Sequence, residues 1–363
     1  MSLSPRQRLA WFAAVVFVAI FGLGELAGWI AESLRGPSWW AEDLVTYDAA
    51  RRLVDGAALY ADPKYLYTPL AALLGVPFLA LDRFAASLVL AVAKILLAGA
   101  CVVSLTPLWS VRSRILAIVG VVTSLPFLHD LMLGNTNVLI VAAMVPAVLG
   151  RPRPRNGIAL GVAAAAFGKP LMLPVLLWMA IWRRGSFVGA VVAGAAGSAA
   201  AFALFGPGAY ADWVAAVRAG STWLDLPFVG NHGVTALAPA LWPPVAAATA
   251  ALLVLVLARR GPRTGLAWSV ASGILLVPYA GTYSALPMAL ALPALGPLAP
   301  TAALVLVAIS PIATTIPLPF YAAAIMLGSL LLHEPRDRAS GVGLPVVTEI
   351  GPATSSPATT APA

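Results

Sequence analysis

Residues 84–108 read FAASLVLAVAKILLAGACVVSLTPL, an apolar stretch whose single charged side chain is Lys94. A helix needs about 20 consecutive apolar residues to cross the hydrocarbon core of a bilayer, so this stretch predicts a membrane-spanning helix. Hydrophobic types make up 61% and charged types 10% of the 363 residues, whereas a soluble domain is about half apolar and a quarter charged. The chain has too little polar surface for a soluble fold. We therefore predict an all-α, polytopic membrane helical bundle.

The basic residues also indicate a membrane protein. The net charge is +8 and the pI is about 10.1, which in a soluble domain would favour a nucleic-acid partner. Here most of the arginines form short clusters between apolar stretches: Arg6 and Arg8; Arg112 and Arg114; Arg151, Arg153 and Arg155; Arg183 and Arg184; Arg259, Arg260 and Arg263; Arg336 and Arg338. Such clusters mark cytoplasmic loops, so we expect no nucleic-acid partner.

Hydropathy divides the chain into about ten to twelve membrane segments. The first, residues 11–30, is too long for a signal peptide and is expected to remain as an uncleaved helix. Residues 67–81 are too short to span and contain two prolines, which favours a juxtamembrane or re-entrant piece. Residues 1–334 are predicted to form one membrane domain, followed by a disordered cytoplasmic tail over residues 335–363.

The segment between Asn156 and Arg183 has arginine clusters at both ends, although a single crossing would place them on opposite sides of the membrane. A hairpin of two short helices, broken at Gly168-Lys169-Pro170, resolves this conflict because Gly and Pro interrupt helices. Lys169 is then predicted to lie at the break, within an apolar segment.

Two polar stretches are predicted to lie outside the membrane, at residues 31–66 and 207–234. Seven of the 14 acidic residues fall within or just before the first of them. If its second half is helical, Asp43 and Tyr47 share a face with Arg51 one turn further, while Asp48 and Arg52 form an ordinary i,i+4 pair. Asp43 has no basic neighbour at this spacing. It is either a general base at the membrane surface or a solvated carboxylate at a helix start.

A set of short motifs in this order resembles glycosyltransferase family 87, the polyprenyl-phosphate-mannose-dependent mannosyltransferases of the GT-C superfamily. The motifs cover roughly residues 40 to 235 and are Asp43-x3-Tyr47-x2-Ala50, Gly56-x2-Leu59-Tyr60, Tyr67-Thr68-Pro69-Leu70, Gly134-Asn135-Thr136-Asn137, Gly157 through Lys169-Pro170 to Arg184, and Gly230-Asn231-His232-Gly233. Asn135 stands where the family usually has Gln. Residues 277–283 lack the Trp and His of the family's late motif.

The resemblance implies an inverting transfer of a hexose, expected to be mannose, from a polyprenyl phosphate to a lipid or glycan acceptor at the extracytoplasmic face of the cytoplasmic membrane. In that reaction Asp43 would be the general base, and Lys169 would bind the donor phosphate. Lys94, also inside an apolar run, is the alternative cation. Further substrate-binding candidates are Tyr47, Arg51, Asn135, Asn137, Asn231 and His232.

No metal or other cofactor is expected, because no His, Cys and carboxylate cluster has metal-ligand spacing and no glycine-rich nucleotide loop is present. The single Cys101 is expected to be a small buried hydrophobe. The pair His129 and Asp130 is expected to end a helix. Two other functions remain open at this point, a secondary transporter and a non-catalytic assembly or lipid-binding membrane protein.

Overall fold

The computed structural model describes residue 27 and residues 44–62, 64–107, 110–220, 232–295 and 318–330. Within these ranges the chain is helical and has no strand, which confirms the predicted all-α membrane bundle. The α-helices are α1 Val45–Val54, α2 Pro69–Gly75, α3 Arg83–Leu105, α4 Val111–Val122, α5 Leu125–Met132, α6 Asn137–Leu149, α7 Pro154–Phe167, α8 Leu173–Trp182, α9 Arg184–Gly220, α10 Val234–Leu237, α11 Trp242–Arg259, α12 Pro262–Leu276 and α13 Leu318–Leu330. The 3₁₀ helices are Leu59–Ala61, Val76–Ala80, Pro170–Met172, Pro239–Leu241 and Thr282–Leu295. The predicted first helix, apart from residue 27, and the predicted tail lie outside the described residues.

Three segments in the described part of the chain are long and apolar enough to cross a membrane, Arg83–Leu105, Arg184–Ala219 and Pro239–Arg259. The first of them is α3. Asp82 caps its N-terminus, because the Oδ1 of Asp82 accepts a hydrogen bond from the Ala85 amide at 2.9 Å. Large apolar side chains at four-residue spacing are exposed on one face, namely Phe84, Leu88, Val92 and Leu96. The opposite face packs into the bundle through Lys94, Ala98, Cys101 and Leu105. This division is that of a helix with one face toward lipid and one toward protein, and it confirms Cys101 as a buried small residue.

The chain breaks at Gly168, as the sequence predicted. Gly168 adopts the left-handed conformation (φ 58°) that ends α7, and a 3₁₀ turn at Pro170–Met172 leads into α8. The chain then returns to its starting end, because Ser186 Oγ at the start of α9 donates a hydrogen bond to Arg153 O at 3.4 Å. Both arginine clusters of this segment therefore lie at one end of the bundle.

α7 packs along α9 rather than along α8, and it does so through glycines. A Cβ on Gly157 would come within 1.8 Å of Ser186 O, and one on Gly161 would come within 2.1 Å of Ala190 O. The two helices are parallel, because a move of four residues along α7, from Gly157 to Gly161, corresponds to a move of four residues along α9, from Ser186 to Ala190. Small residues of this kind allow the backbones of membrane helices to approach closely.

α12 runs antiparallel to α8. Trp178 Nε1 donates to Pro262 O at 2.8 Å near the start of α12, and the neighbourhood of Gly273, near its end, contains Leu171. The arginines that flank the α11–α12 connection, Arg259 and Arg263, therefore lie at the same end as Arg183. The other end of these helices holds Lys169.

α9 does not end where the second polar stretch was expected to begin. Its axis kinks at Gly206 (φ 72°), and the chain stays helical to Gly220. After the kink the helix turns back, because Tyr210 lies against Phe202 with ring centroids 5.9 Å apart. Trp213 on this second arm donates its indole N–H to Leu66 O at 3.0 Å. The arm thereby covers the segment that leads into α2.

One local expectation is wrong. Asp48 pairs with Arg83 at 2.8 Å and Arg52 with Asp62 at 3.4 Å, so the predicted i,i+4 pair within α1 is replaced by contacts to other segments. The turn around Asn135 contacts Lys94, which lies halfway along α3. A lysine buried at mid-helix needs such partners, and the polar turn supplies them.

Candidate functional site

Lys169 is held beside the segment that precedes α2. The Thr68 amide donates to Ala166 O at 3.1 Å, and Thr68 Oγ1 donates to Ala165 O at 2.7 Å. These bonds use carbonyls in the last turn of α7 that have no partner within the helix. They fix the end of α7 against the backbone of Tyr67. Lys169, two residues after α7 ends, therefore lies next to the Tyr67 ring.

Four hydrogen-bond donors converge on one oxygen, the side-chain Oδ1 of Asn135. They are Tyr67 OH at 3.1 Å, the Thr136 amide at 2.8 Å, Asn137 Nδ2 at 3.2 Å, and Lys169 Nζ. A carbonyl oxygen has two lone pairs, so four donors exceed what it satisfies well. The excess of donors makes this point suitable for an anion with several oxygens.

The ammonium group of Lys169 has no carboxylate within ion-pair distance among the residues that the structure describes. Its second polar contact is Asn137 Oδ1 at 3.0 Å. Two aromatic rings complete its surroundings, with Tyr67 at 5.7 Å and Tyr283 at 5.5 Å from Nζ to the ring centroid. Neutral amides and aromatic faces solvate a cation without neutralising it, so the charge of Lys169 is available to a ligand.

Lys94 does not share this arrangement. Its Nζ lies 3.0 Å from Asp130 Oδ2, and the two side chains are 1% and 0% exposed. Lys94 also donates to the backbone carbonyls of Asp130 and Asn135. Asp130 in turn accepts at Oδ1 from the backbone amide of Asn137, the first residue of α6, at 2.9 Å. Asp130 therefore caps the start of α6, the helix after it, rather than the end of its own helix. Because Lys94 is already paired with Asp130, it is the weaker candidate for a phosphate ligand.

An apolar groove adjoins this cluster, because Asn135 also lines the groove. Gly134 and Thr136 line it as well, and the rest of its lining comes from α1, α2, α3 and their neighbours. The apolar lining side chains are Leu44, Leu74, Phe78, Leu90, Leu139 and Phe167. A mainly apolar groove beside a donor-rich cluster suits an amphiphile with an anionic head.

Tyr47 and Arg51 lie apart from the Lys169 cluster. Tyr47 is buried along the groove, and its hydroxyl donates to Leu81 O at 3.0 Å. Arg51 is exposed, with its guanidinium 6.0 Å from the Tyr47 ring centroid. Asp43 lies outside the described residues, although Leu44, which follows it, lines the groove.

His232 is hydrogen-bonded to two later parts of the chain. Its backbone amide donates to Ala280 O at 2.8 Å, and its carbonyl accepts from the Leu318 amide at 2.9 Å. Burial lowers the pKa of its imidazole, which favours the neutral ring. Asn231 lies outside the described residues. Tyr283, three residues after Ala280, faces Lys169.

Sequence reasoning missed three residues of this site, Asp130, Tyr67 and Tyr283. Tyr67 stands in one of the motifs of the family resemblance, but the motif did not assign it a role. Tyr283 stands in the stretch that lacks the family's late Trp and His. Asp130 carried a usable signal, because a carboxylate flanked by apolar residues needs a cationic partner and Lys94 needs an anionic one.

A cluster of three or more possible metal ligands is absent from the ranges that the structure describes. The described groups at the site include several hydrogen-bond donors, two amide oxygens and the ammonium group of Lys169, which has no carboxylate partner. Together with the fold, they define a helical membrane protein with a buried, donor-rich polar cluster beside an apolar groove.

The comparison with protein families agrees with this class. The model of glycosyltransferase family 87 matches residues 65–278, more than half of the chain, and the chain belongs to that family. The protein is therefore a membrane glycosyltransferase. The match includes Lys94, Asp130, Asn135, Lys169 and His232, whereas Asp43 precedes it. No curated protein and no solved structure matches the chain.

Proposed function

We propose that this protein transfers a hexose from a polyprenyl-phosphate donor to a lipid or glycan acceptor at the extracytoplasmic face of the cytoplasmic membrane. The observation that carries the proposal is the convergence of four donors on Asn135 Oδ1 beside the unpaired Lys169. Mannose is the expected sugar by resemblance to the family's known donors.

The donor phosphate is assigned to the Lys169 cluster because the local charge favours an anion. Lys94, Asp130 and Lys169 together carry one net positive charge, and neutral side chains surround Lys169. Phosphate oxygens can accept from Lys169 Nζ, Tyr67 OH and the Thr136 amide in place of Asn135 Oδ1. Charge-assisted hydrogen bonds of this kind are roughly twice as strong as neutral ones.

The adjoining groove is assigned to the hydrocarbon chain of the donor. Leucine and phenylalanine side chains, among them Leu44 and Phe167, line this groove. They would shield the hydrocarbon chain of the donor from water or from the headgroup region. Each buried CH₂ contributes about 0.8 kcal/mol. Asn135 lines the groove, so the phosphate and the first isoprene units would be bound by adjoining surfaces.

The chemistry needs one base and no general acid. The acceptor hydroxyl oxygen attacks the anomeric carbon as the bond from that carbon to the phosphate oxygen breaks, which inverts the configuration. The hydroxyl proton passes to the carboxylate of Asp43, and the polyprenyl phosphate leaves with the bonding electron pair. Lys169 stabilises the charge that develops on the leaving phosphate. Tyr47 and Arg51 are proposed to contact the acceptor side of the groove, and Asn231 and His232 the sugar or acceptor.

The test is a transfer assay on purified protein with synthetic polyprenyl-phosphate hexoses. We expect Lys169→Met to raise the donor KM at least tenfold, because a hydrogen bond to a charged group contributes about 1.5–3 kcal/mol. Lys64→Met, at an exposed lysine, is the matched control and should leave KM unchanged. An unaltered donor KM in Lys169→Met would reject the phosphate assignment.

The same assay tests Asp43. Asp43→Asn should lower kcat by 10²-fold or more, the usual contribution of a general base, while donor binding is kept. Asp55→Asn, at an exposed carboxylate of the same segment, should retain wild-type kcat. Full activity of Asp43→Asn would exclude the base role, and an inactive wild type with every lipid-linked hexose would favour a non-catalytic lipid-binding protein.

A further inference from the structure

We propose that the buried ion pair between Lys94 and Asp130 is a positioning pair that fixes the Asn137 amide and, through it, the ammonium group of Lys169. The inference rests on the function proposed above, because it assigns Lys169 to the donor phosphate. Neither Lys94 nor Asp130 needs to touch the donor in order to act in this way.

Stability alone is a weak reason for such a pair. The two charged side chains are almost fully buried and 3.0 Å apart, with Lys94 at the middle of α3 and Asp130 on α5. Desolvation of two charges offsets most of their attraction, and well-packed apolar residues of similar volume often stabilise a protein as much or more. A different reason follows from the other groups that Asp130 holds.

The carboxylate of Asp130 determines which way the Asn137 amide points. Asp130 Oδ1 accepts from the Asn137 backbone amide at 2.9 Å and from Asn137 Nδ2 at 3.0 Å. A carboxylate only accepts, so the nitrogen of the Asn137 side chain must face Asp130. The Asn137 oxygen is thereby turned to Lys169 Nζ, which lies 3.0 Å away.

Lys94 holds the same turn from its other side. Its Nζ donates to the carbonyls of Asp130 and Asn135, which are the two ends of the tight turn through Gly134. The Asn135 amide also donates to Asp130 O at 2.9 Å, and Gly134 has a φ of 56°. The pair thus fixes both the backbone that carries Asn135 and the side chain of Asn137, the two groups that hold Lys169.

A pair of double variants isolates the acceptor at position 130. K94M/D130N removes both charges but keeps an oxygen that can accept from Asn137. K94M/D130L removes both charges and the acceptor, with a side chain of nearly the same shape. Both share the loss of Lys94, so any difference between them comes from the polar amide at position 130, whose oxygen is the group that can accept from Asn137.

The first measurement is the donor KM and kcat of both proteins, with the melting temperature in detergent as the check of folding. We expect the donor KM of K94M/D130L to exceed that of K94M/D130N by about tenfold, with similar kcat at saturating donor. Equal KM values in two folded variants would overturn the positioning role. If K94M/D130L does not fold, K94M/D130Q replaces it, since its amide oxygen is displaced by one methylene.

A second measurement does not depend on the reaction. Both double variants retain two lysines, Lys64 and Lys169, so amine modification followed by mass spectrometry reports Lys169 with Lys64 as internal reference. We expect Lys169 to react several-fold faster, relative to Lys64, in K94M/D130L than in K94M/D130N. Equal Lys169-to-Lys64 labelling ratios in the two double variants would overturn the inference, even if no donor is turned over. If the ratios differ but the wild-type protein has no transfer activity, only the proposed function is rejected.

Discussion

Asn135 combines two properties that separate a ligand site from a structural polar contact. It is nearly buried, and its Oδ1 accepts from more donors than its lone pairs satisfy. In a purely structural role, one or two donors would meet such an oxygen. The surplus is favourable only when a second acceptor, such as a phosphate, shares the donors.

The surplus of donors on Asn135 Oδ1 predicts effects of different size for two substitutions at this position. N135D keeps the shape and the acceptor but adds a negative charge that pairs with Lys169 and repels a phosphate, so the donor KM should rise about tenfold or more. N135Q introduces the residue usual in the family and keeps the site neutral, so its donor KM should rise much less. Transfer kinetics at several donor concentrations, with melting temperatures as folding control, decide between them. A fully active N135D would mean that the oxygen binds protein groups only.

Local sequence identified some residues of the site and not others for a physical reason. Lys169 was found because a lysine beside Gly and Pro in an apolar segment is costly unless it has a function. Asp130 and Lys94 are 36 residues apart in the chain, and no local spacing reveals that they meet. Tyr283 was missed for the same reason, since it is more than 100 residues from Lys169 in the chain and reaches it only through the packing of Thr282–Leu295 against other helices.

At the scale of helices, the position of Lys169 depends on the packing of α7 against α9. Lys169 follows α7 directly, so any movement of that helix along α9 displaces the ammonium group relative to Asn135. The approach is close because Gly157 and Gly161 present backbone atoms rather than side chains to α9. The glycines are therefore expected to contribute to stability and to the geometry of the site.

Gly157→Ala tests this packing. The new methyl group would lie 1.8 Å from Ser186 O, so the helices must separate, at an overpacking cost of about 1–3 kcal/mol. The matched control is Gly208→Ala in the second arm of α9, where nothing lies within 4 Å of an added Cβ. There we expect no loss and a gain of up to about 1 kcal/mol from helix propensity. Melting temperatures in detergent should fall by several degrees for the first variant only; equal values would contradict the packing argument.

The helices were predictable from hydropathy and from the residues that interrupt them, but the pairs of helices that pack together were not. Gly168 and Pro170 predicted the end of α7, and the two arginine clusters predicted that the chain returns to the same side of the membrane. The choice of α9 as the neighbour of α7 depends on contacts between residues 29 apart in the chain, Gly157 with Ser186 and Gly161 with Ala190. The helical continuation to Gly220 was also hidden, since Gly206-Pro207 predicts an end and the structure uses it as a kink.

Across the whole molecule, the arginine clusters and the candidate site occupy opposite ends of the same helices. Arg153, Arg183 and Arg259 lie at one end, and Lys169 lies at the other, beyond the 14 residues of α7. At 1.5 Å per residue, α7 separates them by about 21 Å. A bilayer core is about 30 Å thick, so a cytoplasmic arginine end would place Lys169 in the outer half of the membrane. That is the depth at which a lipid phosphate near the outer surface could reach it.

Cysteine labelling tests this orientation in the intact membrane. In a background with Cys101 replaced by Ala, single cysteines are placed at three exposed positions, 51 on α1, 153 before α7 and 184 at the start of α9. A membrane-impermeant maleimide should label position 51 in intact cells, and positions 153 and 184 only after permeabilisation. Different behaviour of 153 and 184 would contradict the shared end of α7 and α9. If 51 and 153 were both labelled from the cytoplasm, the fold could stand, but a reaction centred on Asp43 at the outer face could not.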